Sequence, residues 1–295
     1  GASAGSAGRV AVWDGTAWAP LGVGTNGTVS ALAVAPSGDL IAGGSFTTAG
    51  GAPASNIARW NGSTWFPLGS GTNGPVFAVA PPSGTDIVVG GSFTAAGGGS
   101  AACIARWNGA VWSPLGTGLT GVLPRVWAIL RLQNGDLVVG GSFTNAGGGP
   151  INCIARWTGS AWTALGTGVN DTVVALAQLP AGDIVAGGGF TTAGGNSARH
   201  IARWDGATWS AIGPGLDGYV NALKILANGD IIAAGGFIRT GSGQALNHVA
   251  RWDGAAWQLV ATPATGPLVR VWGSGERDVW ILGQRELLHW DGVDW

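Results

Sequence analysis

The stretch Asn56-Ile57-Ala58-Arg59-Trp60-Asn61-Gly62-Ser63-Thr64-Trp65 decides how this chain is read. A version of it occurs seven times, with tryptophans at 13 and 18, 60 and 65, 107 and 112, 157 and 162, 204 and 209, 252 and 257, and 290 and 295. The spacing inside a pair never changes, while successive pairs lie 47, 47, 50, 47, 48 and 38 residues apart. Self-similarity at such a period marks a repeat architecture. Fourteen of the 17 tryptophans belong to these pairs, so the pair is the signature of the unit.

Between the tryptophans stand Asn61-Gly62, Asp14-Gly15, Asp205-Gly206, Asp253-Gly254 and Asp291-Gly292. These dipeptides favour hairpins, because a tight turn needs positive φ at its centre. A two-residue loop sets Trp60 diagonal to Trp65, and a four-residue loop sets them directly opposite. Either register puts both indoles on one face of a ribbon, where large aromatics touch. Two uses of such pairs stand side by side: core packing between neighbouring units, or platforms on which sugar rings stack. The sequence favours the first.

Outward from the pair, each unit reads as four short strands. Val29 to Ala35 alternates apolar and small or polar residues, Pro36-Ser37-Gly38 turns, and Asp39 to Phe46 forms the second strand. Thr47 to Ser55 reads as a loop, and the tryptophan ribbon supplies strands three and four. The series restarts at Val76, Val126, Val173 and Val220, and a degenerate copy begins near Val269. No helical period is visible. Four-stranded units at this period predict an all-β propeller. The expected blades are 29–69, 76–116, 126–166, 173–213, 220–260 and 268–295 within a single domain of 1–295. Residues 9–22 form a half blade, and 1–8 read as a linker or loop remnant. Seven ribbons against six strand-one/strand-two pairs predict seven radial positions with a truncated first blade; six positions is the alternative.

The units resemble the kelch-like propeller, whose double glycine closing the second strand is matched by Gly43-Gly44, Gly90-Gly91, Gly140-Gly141, Gly187-Gly188 and Gly235-Gly236. A kelch blade carries Tyr then Trp, whereas this one carries Trp twice, five residues apart. The units are also similar to the tandem Gly-Gly-Ser-Phe…Ala-Arg-Trp repeats of large bacterial secreted and surface proteins. That resemblance implies a fold and an extracellular or cell-surface setting far more than an activity.

Composition narrows the partners. The net charge is −1 with one lysine, so no basic stripe exists to neutralise phosphates and nucleic acid is not expected. No apolar run reaches the roughly 18 residues needed to cross a bilayer. The chain starts without Met, which points to a processed or trimmed terminus. Cys103 and Cys153 hold the same place one unit apart, normally beyond the ~7 Å Cα limit of a disulfide, so two buried free thiols are expected.

Arg59, Arg106, Arg156, Arg203 and Arg251 precede the first tryptophan of their pairs, and Asp39, Asp86, Asp136, Asp183, Asp230 and Asp278 open the second strands. Opposite charges repeated in every unit read as structural pairing, because a catalytic acid and base would be unique to one place. Four G-x-G-x-x-G stretches join strands and open no helix, so they are turns rather than dinucleotide sites. His200, His248 and His289 lie in different units without ligand-spaced neighbours, and neither a calcium loop nor a nucleophile–base arrangement is visible. Asn-x-Ser/Thr at Asn26, Asn61 and Asn170 is explained by turn chemistry.

The resulting expectation is a non-catalytic exported scaffold or protein-interaction module with no cofactor or metal. Its structural repeat is Asp39, Gly43, Gly44, Arg59, Trp60 and Trp65, and its interaction edge is Val10, Val12, Trp13 and Trp18 of the half blade. Protein partners or self-association follow from that edge. The alternative is a lectin-like propeller in which weak glycan sites in several blades add by avidity.

Overall fold

The computed structural model describes residues 9–275, 278–283, 286–291 and 295. Residues 1–8, read above as a linker, lie outside the described residues, as do parts of the degenerate last repeat. The chain is all β, a β-propeller built of four-stranded antiparallel sheets, and no helix occurs among the described residues. It divides into two compact units. One takes the chain to Val139 with 143–150 and 157–162, and the other holds 140–142, 151–156 and 163–295.

In the first unit, β1 (Ala11–Trp13) and β2 (Trp18–Pro20) form a two-stranded sheet. A full blade follows from β3 (Thr28–Val34), β4 (Leu40–Ser45), β7 (Ile57–Trp60) and β8 (Trp65–Pro67), in the order β3-β4-β7-β8. Between β4 and β7 stands a small hairpin of β5 (Thr48–Ala49) and β6 (Ala52–Pro53). The next blade repeats the order with Val76–Val79, Ile87–Gly91, Ile104–Trp107 and Trp112–Pro114. The sheet of Val126–Arg131, Leu137–Gly141, Ile154–Trp157 and Trp162–Ala164 contributes residues to both units.

The second unit holds two more four-stranded sheets. They are Val173–Gln178, Ile184–Gly188, Ile201–Trp204 and Trp209–Ala211, then Val220–Ile225, Ile231–Gly235, Val249–Trp252 and Trp257–Leu259. The degenerate repeat adds a three-stranded sheet of Leu268–Gly275, Asp278–Gly283 and Leu287–Trp290.

The apolar pattern explains the layering. First strands alternate, as Val173–Gln178 does between buried and half-buried residues, whereas the second strand Ile184–Gly188 is buried throughout. Where the two strands pair, the register slips by one residue between Val29 and Ala31, Val173 and Ala175, and Val220 and Ala222. Such a bulge sharpens the local twist. Strand two must also lie close to its neighbours. A Cβ on Gly44 would stand 2.0 Å from the Thr28 carbonyl oxygen, and one on Gly43 2.5 Å from Cγ1 of Val76 in the next blade. These glycines serve approach, not backbone freedom.

Two sequence expectations change here. In the fifth blade the glycine pair does not occupy the kelch-like seats, for Ala234 pairs with Ala222 as Gly43 does with Ala31, and Gly235 takes the seat of Gly44. Gly236 has open space where a Cβ would be. The methyl of Ala234 is tolerated because it joins a cluster with Leu268, where earlier blades present a valine. The stretches read as loops, Thr47 to Ser55 and its equivalents, are small hairpins instead. Asn26 organises the first: its Oδ1 accepts from the backbone N–H groups of Thr47 and Thr48, and its Nδ2 donates to Thr47 Oγ1. Asn73 and Asn170 do the same for their hairpins, and Asp217 accepts from Ile238 and Arg239.

Candidate functional site

The tryptophan pairs adopt the four-residue alternative, with Trp60 directly opposite Trp65 and Asn61 to Thr64 between them. Asn61 Oδ1 accepts from the N–H groups of Ser63 and Thr64, and Gly62 supplies the positive φ of 97°. The ring centroids lie 5.5 Å apart with planes tilted by 48°, a favourable aromatic geometry. In five pairs the second indole reaches the preceding ribbon. Trp65 donates from Nε1 to the Leu21 carbonyl, Trp112 to Leu68, Trp162 to Leu115, Trp209 to Leu165 and Trp257 to Ile212, all within 2.7–3.1 Å. The following glycine has positive φ and lies against the first indole of the next pair, as Gly22 does against Trp60 and Gly69 against Trp107. The second indoles thus spend their N–H groups on the seam, while the first indoles, half-buried, have such a glycine against one ring edge.

Arg59 Nη1 stands 3.2 Å from Asp39 Oδ2, and Arg106 Nε stands 2.5 Å from Asp86 Oδ1. Arg203 pairs with Asp183 and Arg251 with Asp230, while His289 Nε2 lies 2.9 Å from Asp278 Oδ1 in the degenerate repeat. Asp86 also receives Arg131, whose Nε donates to the Pro81 carbonyl. In the pairs of Arg59, Arg106, Arg203 and Arg251 the carboxylates are the more buried partners and the guanidiniums are half-exposed. Arg59 further lies over the Phe66 ring at 5.4 Å and lines a cleft of about 270 Å³ with Asp39, Thr85 and Trp107. In the second unit a more apolar cleft of about 450 Å³ is lined by Leu226, Ile232, Val260, Val279, Trp290 and Trp295.

The left-handed backbone of one shared position escaped the sequence reading. Arg9, Asn56, Cys103, Cys153, His200 and His248 precede their third-strand equivalents, and all have φ of 60–65°. Of these residue types Asn and His are enriched in the left-handed region, whereas Arg and Cys are not. Their side chains bond nearby backbone: Asn56 Nδ2 donates to the Thr72 carbonyl, and His200 Nδ1 and His248 Nδ1 lie 3.2 Å from the carbonyls of Gly188 and Gly235. Neither thiol is in a disulfide; Cys103 is buried, which pushes its pKa up, whereas Cys153 is only half-buried, unlike the expectation. Among the described residues no group of three His, Cys, Asp or Glu is placed to hold a metal.

At the half blade, β1 corresponds to β7 and β2 to β8. Whereas β7 pairs with both β4 and β8, β1 pairs with β2 alone among the described residues. Val12, Trp13 and Trp18 are 48%, 37% and 49% exposed, against 7% for Trp65. Val10 departs from the expected edge. It is buried with Leu21 against Phe46 and Trp65, because the ribbon docks on the first blade through those two side chains.

The family model described as "Domain of unknown function (DUF5122) beta-propeller" matches residues 35–62, which hold β4 to β7 of the first full blade. Among solved structures, the chain is similar to the extracellular domain of BT4673 from B. thetaiotaomicron, at TM-score 0.65 and 11% identity over 95% of this chain and 35% of that one. It is also similar to YCF48 bound to D1 peptide, at 0.58 and 19% over 92% and 81%, and to streptogramin B lyase, at 0.60 and 14% over 95% and 85%. At such identities the likeness shows the propeller fold alone. The chain spans about a third of the BT4673 chain it matches. No curated protein matches it.

Proposed function

We propose that this chain is a non-catalytic protein-interaction propeller of an exported protein, a single domain of seven radial positions whose first blade is completed by two strands from another polypeptide or another part of its own protein. The side of β1 that pairs with no strand among the described residues is the observation that carries this reading. An open strand edge presents a row of N–H and C=O groups that templates strand addition. The occupant resembles the β3–β4 hairpin, which fills the same place beside β7. Likeness to an extracellular domain supports the exported setting, and likeness to a propeller holding a peptide supports a polypeptide partner. Glycan stacking on Trp65, Trp209 and Trp257 loses its motive, since these indoles are buried with their N–H groups bonded.

The test is light scattering on the purified chain, alone and with a synthetic peptide of residues 28–46. The expected result is self-association or a stoichiometric complex with the peptide, either one abolished by Val12→Lys on the exposed edge. A chain that stays monomeric and ignores the peptide overturns the reading. Association that Val12→Lys leaves intact also overturns it. Deleting residues 9–22 is a poorer variant, since Val10 and Leu21 belong to the core of the first full blade.

A further inference from the structure

The passage from the second blade to the Val126 strand departs from the repeat. The ribbon spacing there is 50 residues instead of 47 or 48, and the extra chain falls in Thr120-Gly121-Val122-Leu123-Pro124-Arg125. Elsewhere an Asn or Asp at this place braces the small hairpin. Here Leu119–Thr120 pairs as a strand with Asn145–Ala146, and Thr144 N–H donates to the Thr120 carbonyl. At the other foot, the Pro124 carbonyl accepts from Cys103 Sγ at 3.3 Å. Both feet are held while the tip projects: Val122 is 91% and Leu123 76% exposed.

Three features of the tip point the same way. Seven described non-glycine residues have positive φ; six share the repeat position described above, and Leu123, at 54°, is the seventh. A leucine there is strained, and glycine or asparagine would remove the strain without loss of any buried contact. The two most exposed large apolar side chains of the described residues stand next to each other, which no folding requirement explains. Beside them Arg125 is exposed and lies 5.6 Å over the Trp127 ring, and Trp127 stacks on Phe77 at 4.4 Å with planes 21° apart. An apolar pair, an exposed guanidinium and one ring of an aromatic stack thus come within six residues of chain, Val122 to Trp127.

We propose that Val122, Leu123, Arg125 and Trp127 form a docking element, separate from the half blade, for an extended polypeptide segment that carries apolar side chains and a nearby carboxylate. The apolar groups cover Val122 and Leu123, and the carboxylate meets Arg125, whose planar guanidinium suits bidentate pairing. A lipid surface fits less well, because two apolar side chains and one arginine supply neither a deep insertion nor a polybasic patch.

The test is selection of a displayed random peptide library on the purified chain. The expected result is enrichment of peptides joining apolar residues to Asp or Glu. Their affinity should fall about tenfold or more for Val122→Ser/Leu123→Ser, as removing buried apolar groups requires, and comparably for Arg125→Glu. Arg125→Lys should retain part of the binding. Thermal midpoints of all variants should match that of the parent, since the altered side chains are exposed. No enrichment, or enriched peptides that bind the variants equally, overturns the proposal. Tip-dependent binding to phosphatidylcholine vesicles without peptide enrichment also overturns it, and assigns the tip to a membrane.

Discussion

The indole Nε1 of Trp65 donates a 2.7 Å hydrogen bond to the carbonyl oxygen of Leu21, 44 residues earlier. Leu21 is three residues past Trp18, as Leu68 is three past Trp65 and accepts from Trp112. One residue type thereby links five successive ribbons each to the one before it, and a rule written in the repeat becomes a seam in the fold.

This relationship yields a stability contrast. Trp65→Phe removes the donor, leaves the Leu21 carbonyl with the Gly24 N–H as its remaining partner and opens a void, which together should cost about 2–4 kcal/mol. Trp18→Phe changes a side chain that is 49% exposed and should cost under about 1 kcal/mol. Urea denaturation of both variants measures the difference. Equal losses would show that the seam is not where the tryptophans act.

Gly44 offers a second contrast. Gly44→Ala would drive a methyl to 2.0 Å from the Thr28 carbonyl and should unfold the first blade or cost more than about 3 kcal/mol. Gly38 has φ of 87° with open space around it, so Gly38→Ala pays only for backbone strain, about 1 kcal/mol. A calorimetric scan of each variant reads this directly, and a mild Gly44→Ala would refute close packing as the reason for the glycine.

The propeller was legible because its signals are local and repeated: an invariant tryptophan spacing, alternating first strands and turn dipeptides. What stayed hidden depends on distant partners or on residues without a conformational signature. Thr48–Ala49 and Ala52–Pro53 are too short to show a strand pattern, and their hairpin is braced by Asn26 from another part of the chain. Cys103 and His200 occupy left-handed backbone although neither residue type announces it as glycine would. Val10 looks like any exposed strand residue, and only the docking of the ribbon on Phe46 and Trp65 buries it. The Val122–Leu123 tip did leave a trace, the 50-residue spacing, but length alone does not tell a bracing loop from a projecting one.

The repeated ion pairs should matter less than their regularity suggests. Asp183 is mostly buried but Arg203 is 49% exposed, so water screens the pair. A double-mutant cycle with Asp183→Asn and Arg203→Gln should give a coupling of about 1 kcal/mol or less, shrinking further in high salt. A coupling well above that, insensitive to salt, would make the pair a buried structural link instead.

Acid sensitivity should arise partly in the turns between the tryptophans. The carboxylates of Asp14, Asp205 and Asp253 are held below their ordinary pKa, chiefly by backbone N–H groups: Ala17 and Thr16 for Asp14, Thr208 and Ala207 for Asp205, Ala256 and Ala255 for Asp253. A carboxylate whose pKa is lower folded than unfolded contributes stability that is fully present above the unfolded value. That contribution is lost as pH falls from there through the folded value. Asn61 and Asn108 hold the same turns through an amide oxygen that does not titrate. The triple variant Asp14→Asn/Asp205→Asn/Asp253→Asn should therefore be somewhat less stable than the parent near neutrality, where the ionised carboxylates contribute, and lose less stability in acid. Thermal midpoints measured from neutral pH down through the carboxylate range provide the check. Two curves that fall in parallel would place the acid sensitivity elsewhere, in the strand-opening aspartates and not in the turns.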